Sequence, residues 1–380
     1  MSIATEIQRI QQAKQDIKAA LISKGCPVLS SETIDDYAKY INNMGRYDWS
    51  THYLTFNVII GGDIKWSGST TDNTLFYSKD NGENWSAATS ADIISVEAGD
   101  KILWKGTPTP QASKGIGKFS GATDVRYSVE GNAMSLLFGD DFKGQTSLEG
   151  KNYALSVLFG GNTNVTSAEN LSLPATTLAE SCYRKMFNGC TSLTTVPELP
   201  ATTLAENCYR LMFQKCTCLT TAPELPATTL VSDCYRLMFQ GCTGLTTAPE
   251  ELPATTLASG CCQEMFSRCT SLTTAPELPA TTLAAHCYHN MFNGCTSLTT
   301  APELPATTLA ESCYQQMFLN CSSLSSIKCL ATDISAYNCT TNWVDGVAAS
   351  GTFTKAASMS SWTTGVNGMP SGWSVENYVN

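Results

Sequence analysis

Cysteine is the residue type with the most reactive potential in this sequence, because it occupies 17 of the 380 positions. Most of the cysteines fall in two columns that recur at a regular step. The columns are Cys182, Cys208, Cys234, Cys261, Cys287 and Cys313, and Cys190, Cys216, Cys242, Cys269, Cys295 and Cys321. Thiols in this number are typical of disulfides in small secreted chains, or of zinc sites.

Other residues that perform catalysis are scarce. The only histidines are His52, His286 and His289, and no CxxC pair has histidine partners. A zinc site or a nucleophile–histidine triad is therefore not expected. The carboxylates of the repeats are periodic, whereas an active site is usually singular, and no P-loop, GxSxG, HExxH or GxGxxG motif occurs. We expect no enzymatic activity, no cofactor and no metal.

The cysteine columns belong to an internal repeat. The phrase LPATTL occurs six times at a step of 26 residues, with one step of 27 where Glu250 is inserted before Glu251. Such a period is typical of chains built from stacked units. Cys182, Met186 and Cys190 lie four residues apart, which predicts an apolar helical stripe, and LTTVPELP predicts a short strand and a turn. We expect buried thiols that act as small apolar groups, with some disulfides as the alternative.

The pattern F-x-x-C-x-x-L, followed by LP and the apolar stripe, resembles the BspA-type (Treponema pallidum-type) leucine-rich repeat over residues 171–330. The resemblance implies an α/β leucine-rich-repeat solenoid of 26-residue coils whose function is binding. An extra residue between Val196 and Leu199 departs from the family pattern, with Pro197 expected to kink the strand. GNAMSLLFG and YALSVLFGG are interpreted as degenerate first coils, so the repeat region is predicted at residues 131–330.

Positions that vary between the copies are the first candidates for a binding surface. They are predicted to face solvent on the helical side, where variation reflects either neutral drift or recognition of a ligand. These candidates are Arg184, Lys185, Arg210, Arg236, Gln263, Glu264, His289, Asn290, Gln315 and Gln316.

An alternative stripe is predicted on the strand side, where the copies hardly vary. Hydroxyls and carboxylates suit sugar hydroxyls, and rows of acids also suit Ca²⁺, although threonine is in any case a good exposed strand residue. This stripe contains Thr195, Glu198, Thr221, Glu224, Thr247, Glu251, Thr274, Glu277, Thr300 and Glu303.

The first 48 residues carry Ile3, Ile7, Ile10, Ile17 and Leu21 at alternating steps typical of a heptad seam. A second helix is predicted after the break at KGCPVL. The pair is either a helical hairpin packed on itself or an element for attachment and oligomerisation, with isoleucine-rich seams favouring trimers. The segment resembles the N-terminal helical module of phage tail and fibre proteins, which implies attachment to a virion.

Residues 50–130 alternate as strands do and are predicted to form a small β-sandwich. Within them, SKDNGENW resembles an Asp-box of the sialidases, which is a turn motif rather than an active site. Residues 331–380 leave the repeat and are predicted to form a C-terminal cap. Its aromatic residues either pack in a core or stack on sugar: Trp343, Phe353, Trp362 and Trp373.

The net charge of −10 disfavours nucleic acid and anionic membranes as partners. No apolar run reaches the length of a membrane span, and no signal peptide is evident at the start of the sequence. With these exclusions, the resemblances of the repeats and of the N-terminal segment imply a non-enzymatic, phage tail-fibre-like virion protein whose repeats bind a host receptor. Expected partners are a host surface glycan or outer-membrane protein, other tail or baseplate proteins, and further copies in a homotrimer. The alternative is a bacterial cell-surface adhesin.

Overall fold

The front of the described chain consists of two β-sheets. The structure is a computed structural model and describes residues 48–68, 74–360 and 362–379. The strands are β1 (Leu54–Ile60), β2 (Gly62–Gly68), β3 (Leu75–Ser78), β4 (Ser86–Ala87), β5 (Ile94–Val96), β6 (Lys101–Gly106), β7 (Gly117–Gly121), β8 (Arg126–Asn132) and β9 (Val165–Ser172). One sheet has the order β4–β3–β6–β1–β8–β9 and the other the order β5–β2–β7. The alternation of apolar and polar residues explains why these segments form strands. In β2, for example, Ile64 and Trp66 are buried while Lys65 and Ser67 are exposed.

Aromatic side chains fill the core of these sheets. The ring of Phe56 stacks on Tyr127 with centroids 4.7 Å apart and meets Phe119 edge-on at 4.8 Å. A short helix, α1 (Ser135–Phe138), lies against the sheet and is fixed by its first residue. The Ser135 hydroxyl accepts from the Leu54 amide at 3.0 Å and donates to the Trp104 carbonyl at 2.8 Å.

Strand β9 connects the sheets to the repeats. It pairs in parallel with β8 on one side, and on the other side Ser167 forms an isolated parallel bridge with Thr195 of the first repeat. Later repeats continue in the same way, since Thr221 bridges Thr247 and Thr247 bridges Thr274. The predicted strand in LTTVPELP is therefore reduced to single bridged residues.

The segment predicted to be helical is a ribbon of overlapping turns. The amide of Cys182 donates to Ala179 within its own repeat, whereas the next amide, of Tyr183, donates to Cys208 of the following repeat. This alternation continues along the segment, so every second amide joins neighbouring repeats. An α-helix would direct all of these amides within its own segment.

The backbone of the ribbon repeats every four residues. Ser181, Lys185 and Gly189 have φ of 54°, 58° and 73°, which is the conformation required at the third residue of a type II turn. Two residues between these positions point inward, as Cys182 with Tyr183 and Met186 with Phe187 are buried. A four-residue period of turns thus produces the apolar stripe that was interpreted as helical.

Stacked phenyl rings run through the centre of the repeats. The rings of Phe187, Phe213, Phe239, Phe266, Phe292 and Phe318 stack successively, with centroids 5.5–5.8 Å apart and planes within 11° of parallel. The second cysteine column is bonded to this stack, because Cys216 Sγ donates to the Phe187 carbonyl of the preceding repeat at 3.1 Å. The cysteines of the described residues are free thiols.

A parallel sheet follows the repeats. Its strands β10 (Ser326–Cys329), β11 (Thr352–Ala356) and β12 (Ser374–Tyr378) pair in that order. The aromatic residues of this region are core residues, since Trp343 and Phe353 are fully buried and Trp362 and Trp373 are at most 8% exposed. They are not placed to stack on sugar.

The predicted α/β leucine-rich-repeat solenoid is wrong. Within residues 48–68, 74–360 and 362–379, the only α-helix is the four-residue α1, and the remaining regular structure is almost all β-strand. The helical half of each coil does not form, because the four-residue period belongs to turns. The predicted N-terminal helical hairpin lies outside the described residues, apart from Asp48. Trp49–Asn380 belong to one compact unit.

Candidate binding surfaces

The strand-side stripe is an exposed surface of hydroxyls and carboxylates. Thr221, Thr247 and Thr274 are exposed and are joined by successive parallel bridges, as are Glu251 and Glu277. Bridged residues lie about 4.8 Å apart across a sheet, so equivalent side chains form straight rows. Of the ten predicted residues, Thr195 alone is half-buried, with its hydroxyl 2.7 Å from that of Ser167.

A cation marks the C-terminal end of the carboxylate row. Lys328 Nζ lies 2.8 Å from Glu303 Oε2, and this hydrogen bond raises the pKa of Lys328. The equivalent position of the other repeats holds no lysine, because it is Ser172 in the first copy and a glutamate in the later ones. The row therefore presents aligned negative charge along most of its length.

The sequence interpretation missed a second row of threonines. Thr177 bridges Thr203, Thr229 bridges Thr256, and Thr203, Thr229 and Thr256 are exposed. These residues come from the phrase PATT, which is identical in all six copies. The identity of this phrase in all copies is the sequence feature from which the second row could have been predicted. Most repeats thus contribute two exposed threonine positions, with a glutamate between them in sequence.

The turn-side candidates are brought together in columns, but they contact one another instead of extending freely into solvent. Arg210 and Arg236 lie 3.8 and 3.3 Å from the same carboxylate oxygen of Asp233. Arg184 and Lys185 are half-buried. Partial burial, and then the charges of Arg184 and Arg210, lower the pKa of Lys185.

Amides and a histidine continue this network. Asn188 Nδ2 donates to Gln214 at 2.6 Å, Gln214 donates to Gln240, and Gln240 donates to Glu264 at 2.8 Å. The contacts form a chain of side-chain hydrogen bonds across four repeats. Each of these variable side chains therefore has a hydrogen-bond partner in a neighbouring repeat.

The predicted residues His289 and Asn290 lie at the next repeat. The ring of His289 has Gln263 Nε2 3.3 Å from Nδ1 and Asn290 Nδ2 3.1 Å from Nε2. Burial, followed by the charge of His286, lowers the pKa of His289. Gln315 and Gln316 are half-buried on the same side.

The Asp-box forms a turn between β3 and β4. Asp80 accepts hydrogen bonds from the Ser78 hydroxyl at 2.6 Å and from the Asn84 amide at 2.9 Å. The first of these bonds lowers the pKa of Asp80 to about 2. Trp85 donates through Nε1 to the Gly82 carbonyl at 3.1 Å. These groups close the hairpin on themselves, which is a structural role.

No group of three or more His, Cys, Asp or Glu is placed to hold a metal ion in the part of the chain that the structure describes. None of the described helices is long and apolar enough to span a membrane.

The chain was compared with family models, curated proteins and solved structures. None of them matches. The geometry of the two surfaces is therefore the basis for the function proposed below.

Proposed function

We propose that this chain is a non-enzymatic attachment protein of the phage tail-fibre type, which binds a receptor on a host bacterium through its stacked repeats. The observation that carries the proposal is the stripe of exposed threonines and glutamates aligned by parallel bridges. Its N-terminal segment resembles a tail module, which supports a position in the virion.

The stripe suits a ligand that itself repeats. A threonine hydroxyl both donates and accepts hydrogen bonds, and a carboxylate accepts them, as recognition of sugar hydroxyls requires. Because each repeat presents the same groups, a host surface glycan engages several repeats at once. Such multivalent contact raises affinity well beyond that of one repeat.

The turn side supports binding less well. Its charged and amide groups are half-buried and already hydrogen-bonded to one another, as for Arg236 with Asp233 and Gln240 with Glu264. A ligand on the turn side would have to replace these contacts, whereas a ligand on the stripe would displace only water. We therefore assign the receptor to the stripe, with tail or baseplate proteins contacting other parts of the chain.

The test is binding of the labelled full-length chain to a panel of intact bacteria. A stripe variant carries Thr221→Lys, Thr247→Lys and Thr274→Lys. The control carries the same change at three exposed threonines outside the stripe: Thr217, Thr243 and Thr296. We expect the wild type and the control to bind selected strains and the stripe variant to lose binding by roughly tenfold or more.

Two outcomes contradict the proposal. If the wild type binds no strain, the repeats are not a receptor-binding element. If the stripe variant binds as well as the control, the stripe is not the contact surface. Antibody labelling of purified phage particles tests the virion assignment separately, and an unlabelled particle contradicts it.

A further inference from the structure

Strand β12 is an edge strand whose outer side is unpaired within the described residues. It pairs in parallel with β11, which separates it from β10. The amide of Ser374 donates to the Gly351 carbonyl of the loop before β11 at 2.9 Å. In a parallel ladder alternate residues face the same neighbour, so the backbones of Glu376 and Tyr378 also face β11. Those of Val375, Asn377 and Val379 face outward.

A row of core side chains reaches this edge and stops there. Ile327, Phe353 and Val375 are in register across the three strands. Ile327 is 1% exposed and Phe353 is fully buried, but Val375 is 46% exposed. Val379, which directly follows the last residue of β12, is 84% exposed, and continuing the strand's alternation places it on the same face as Val375. The last member of a core row is thus open to solvent beside unpaired backbone groups.

The edge sequence is symmetric in its apolar positions. Val375 and Val379 lie two residues before and after Asn377, and all three direct their backbone groups outward. A strand of this pattern is complementary to a second, antiparallel copy of itself. Two-fold interfaces between identical chains require such self-complementarity.

We infer that β12 is a self-association surface, on which β12 of a second copy pairs antiparallel about a two-fold axis at Asn377. Val375 of one copy then lies opposite Val379 of the other, so the row of Ile327 and Phe353 extends across the interface. Asn377 faces Asn377 as a hydrogen-bonded pair, because its amide and carbonyl both point outward. The two C-terminal sheets become one continuous sheet.

The charges of the opposite face agree with this register. Lys328 Nζ lies 3.8 Å from the centroid of the Tyr378 ring, so a positive charge covers that side chain. In the antiparallel register, Glu376 of the second copy lies opposite Tyr378 and hence beside Lys328. Opposite charges meet twice across the axis, and like-charged side chains are not brought face to face.

The association is expected to be weak and reversible. Only one short strand from each copy takes part, and pairing of this size falls below the area buried in stable dimers. The edge is therefore open at low concentration and paired where copies are concentrated. The inference does not rest on the receptor proposed above.

The test uses the full-length chain and the variant Asn377→Pro. Proline removes the central outward amide but none of the bonds from β12 to β11. We expect sedimentation velocity to show association that strengthens with concentration, and the variant to weaken it by roughly tenfold or more. Hydrogen exchange should show the amides of Val375, Asn377 and Val379 becoming protected as the concentration of wild type rises.

The variant Val375→Lys gives a second measurement, with Thr217→Lys, at an exposed threonine outside the stripe, as the charge-matched control on the repeats. The lysine at position 375 should weaken association while the control leaves it unchanged. Every variant keeps the sequence of residues 1–48 unchanged, so the oligomerisation predicted for that segment would not differ between variants and would not protect the β12 amides. Amides that exchange equally at all concentrations, or association that Asn377→Pro leaves unchanged, overturn the inference.

Discussion

The ring of Phe266 stacks on the ring of Phe239 with centroids 5.5 Å apart and planes 5° from parallel. The chain between these residues is one residue longer than between any other neighbours of the column, because Glu250 is inserted. Both Glu250 and Glu251 are exposed. The insertion is thus absorbed at the surface, and the phenyl stack keeps its spacing.

Removing one phenyl ring of the stack should strongly lower the free energy of unfolding. Phe239 is fully buried between two rings, so Phe239→Ala leaves a cavity and is expected to lower the free energy of unfolding by about 3–5 kcal/mol. Urea unfolding followed by circular dichroism measures the change. The exposed Thr221→Ala should stay within about 0.5 kcal/mol of the wild type. Similar losses for both variants would show that the stack is not the main stabilising element.

Removing a whole repeat should leave a folded chain. Deleting residues 214–239 joins Phe213 to Gln240, which restores the same neighbours in every column. Deleting residues 214–226 instead removes half a repeat and places stripe residues where core residues are needed. We expect the first protein to resist proteolysis as the wild type does and the second to be digested. Equal resistance of the two proteins would contradict in-register stacking.

Reciprocal substitutions to and from glycine should reveal the conformational strain at the positive-φ positions of the turn ribbon. Gly241 and Lys215 occupy equivalent positions with φ of 73° and 60°. A Cβ on Gly241 would meet only the flexible Lys215 side chain, at 3.5 Å, so conformational strain dominates. Gly241→Ala is expected to destabilise by about 1 kcal/mol and Lys215→Gly to stabilise by up to about 1 kcal/mol. Thermal unfolding measures both, and shifts of the same sign would refute the left-handed conformation.

The buried thiols should make the protein sensitive to alkali. Burial raises the pKa of Cys182, Cys190, Cys242, Cys313, Cys321 and Cys329 from 9.0 to about 12. Below pH 9 these thiols are protonated in both states, and their stabilisation is fully present. Above pH 9 the unfolded chain releases protons that the folded chain retains, so stability falls up to about pH 12.

Each such thiol costs about 1.4 kcal/mol by pH 10, and several together approach the whole stability of a typical domain. We expect the urea midpoint to fall steeply between pH 9 and 11. The variant Cys190→Ala/Cys242→Ala should show a shallower fall, although it is less stable at pH 7. An unchanged slope in that variant would exclude the thiols as the cause.

The sequence predicted which residues stack but not the backbone that carries them. Equal spacing of Phe187, Phe213 and Phe239 was sufficient to predict aligned columns, because equivalent residues of successive units become neighbours. The predicted helix was wrong, since a step of four between Cys182, Met186 and Cys190 fits both a helix and a four-residue turn period. Burial in pairs, as in Met186 with Phe187, indicates the latter, because a helical face drifts by about 40° per four residues.

The candidate surfaces were predicted in part for the same reason. Threonine and glutamate rows follow from the period alone, so Thr221 and Thr247 could be assigned to one row before the structure. Contacts between different columns do not follow from a period. The shared carboxylate of Asp233 between Arg210 and Arg236, and the bond from Gln240 to Glu264, depend on side-chain directions that the turn ribbon sets.

The bridge between Ser167 of β9 and Thr195 of the first repeat has a consequence for how the chain finds its native alignment. Near-identical units are energetically degenerate, because a slip by one whole unit exchanges each internal contact for an equivalent one. Only unique sequences at the boundaries break that degeneracy. Since β9 is already paired with β8, it fixes the phase of the first unit, and each later unit inherits its phase from the one before.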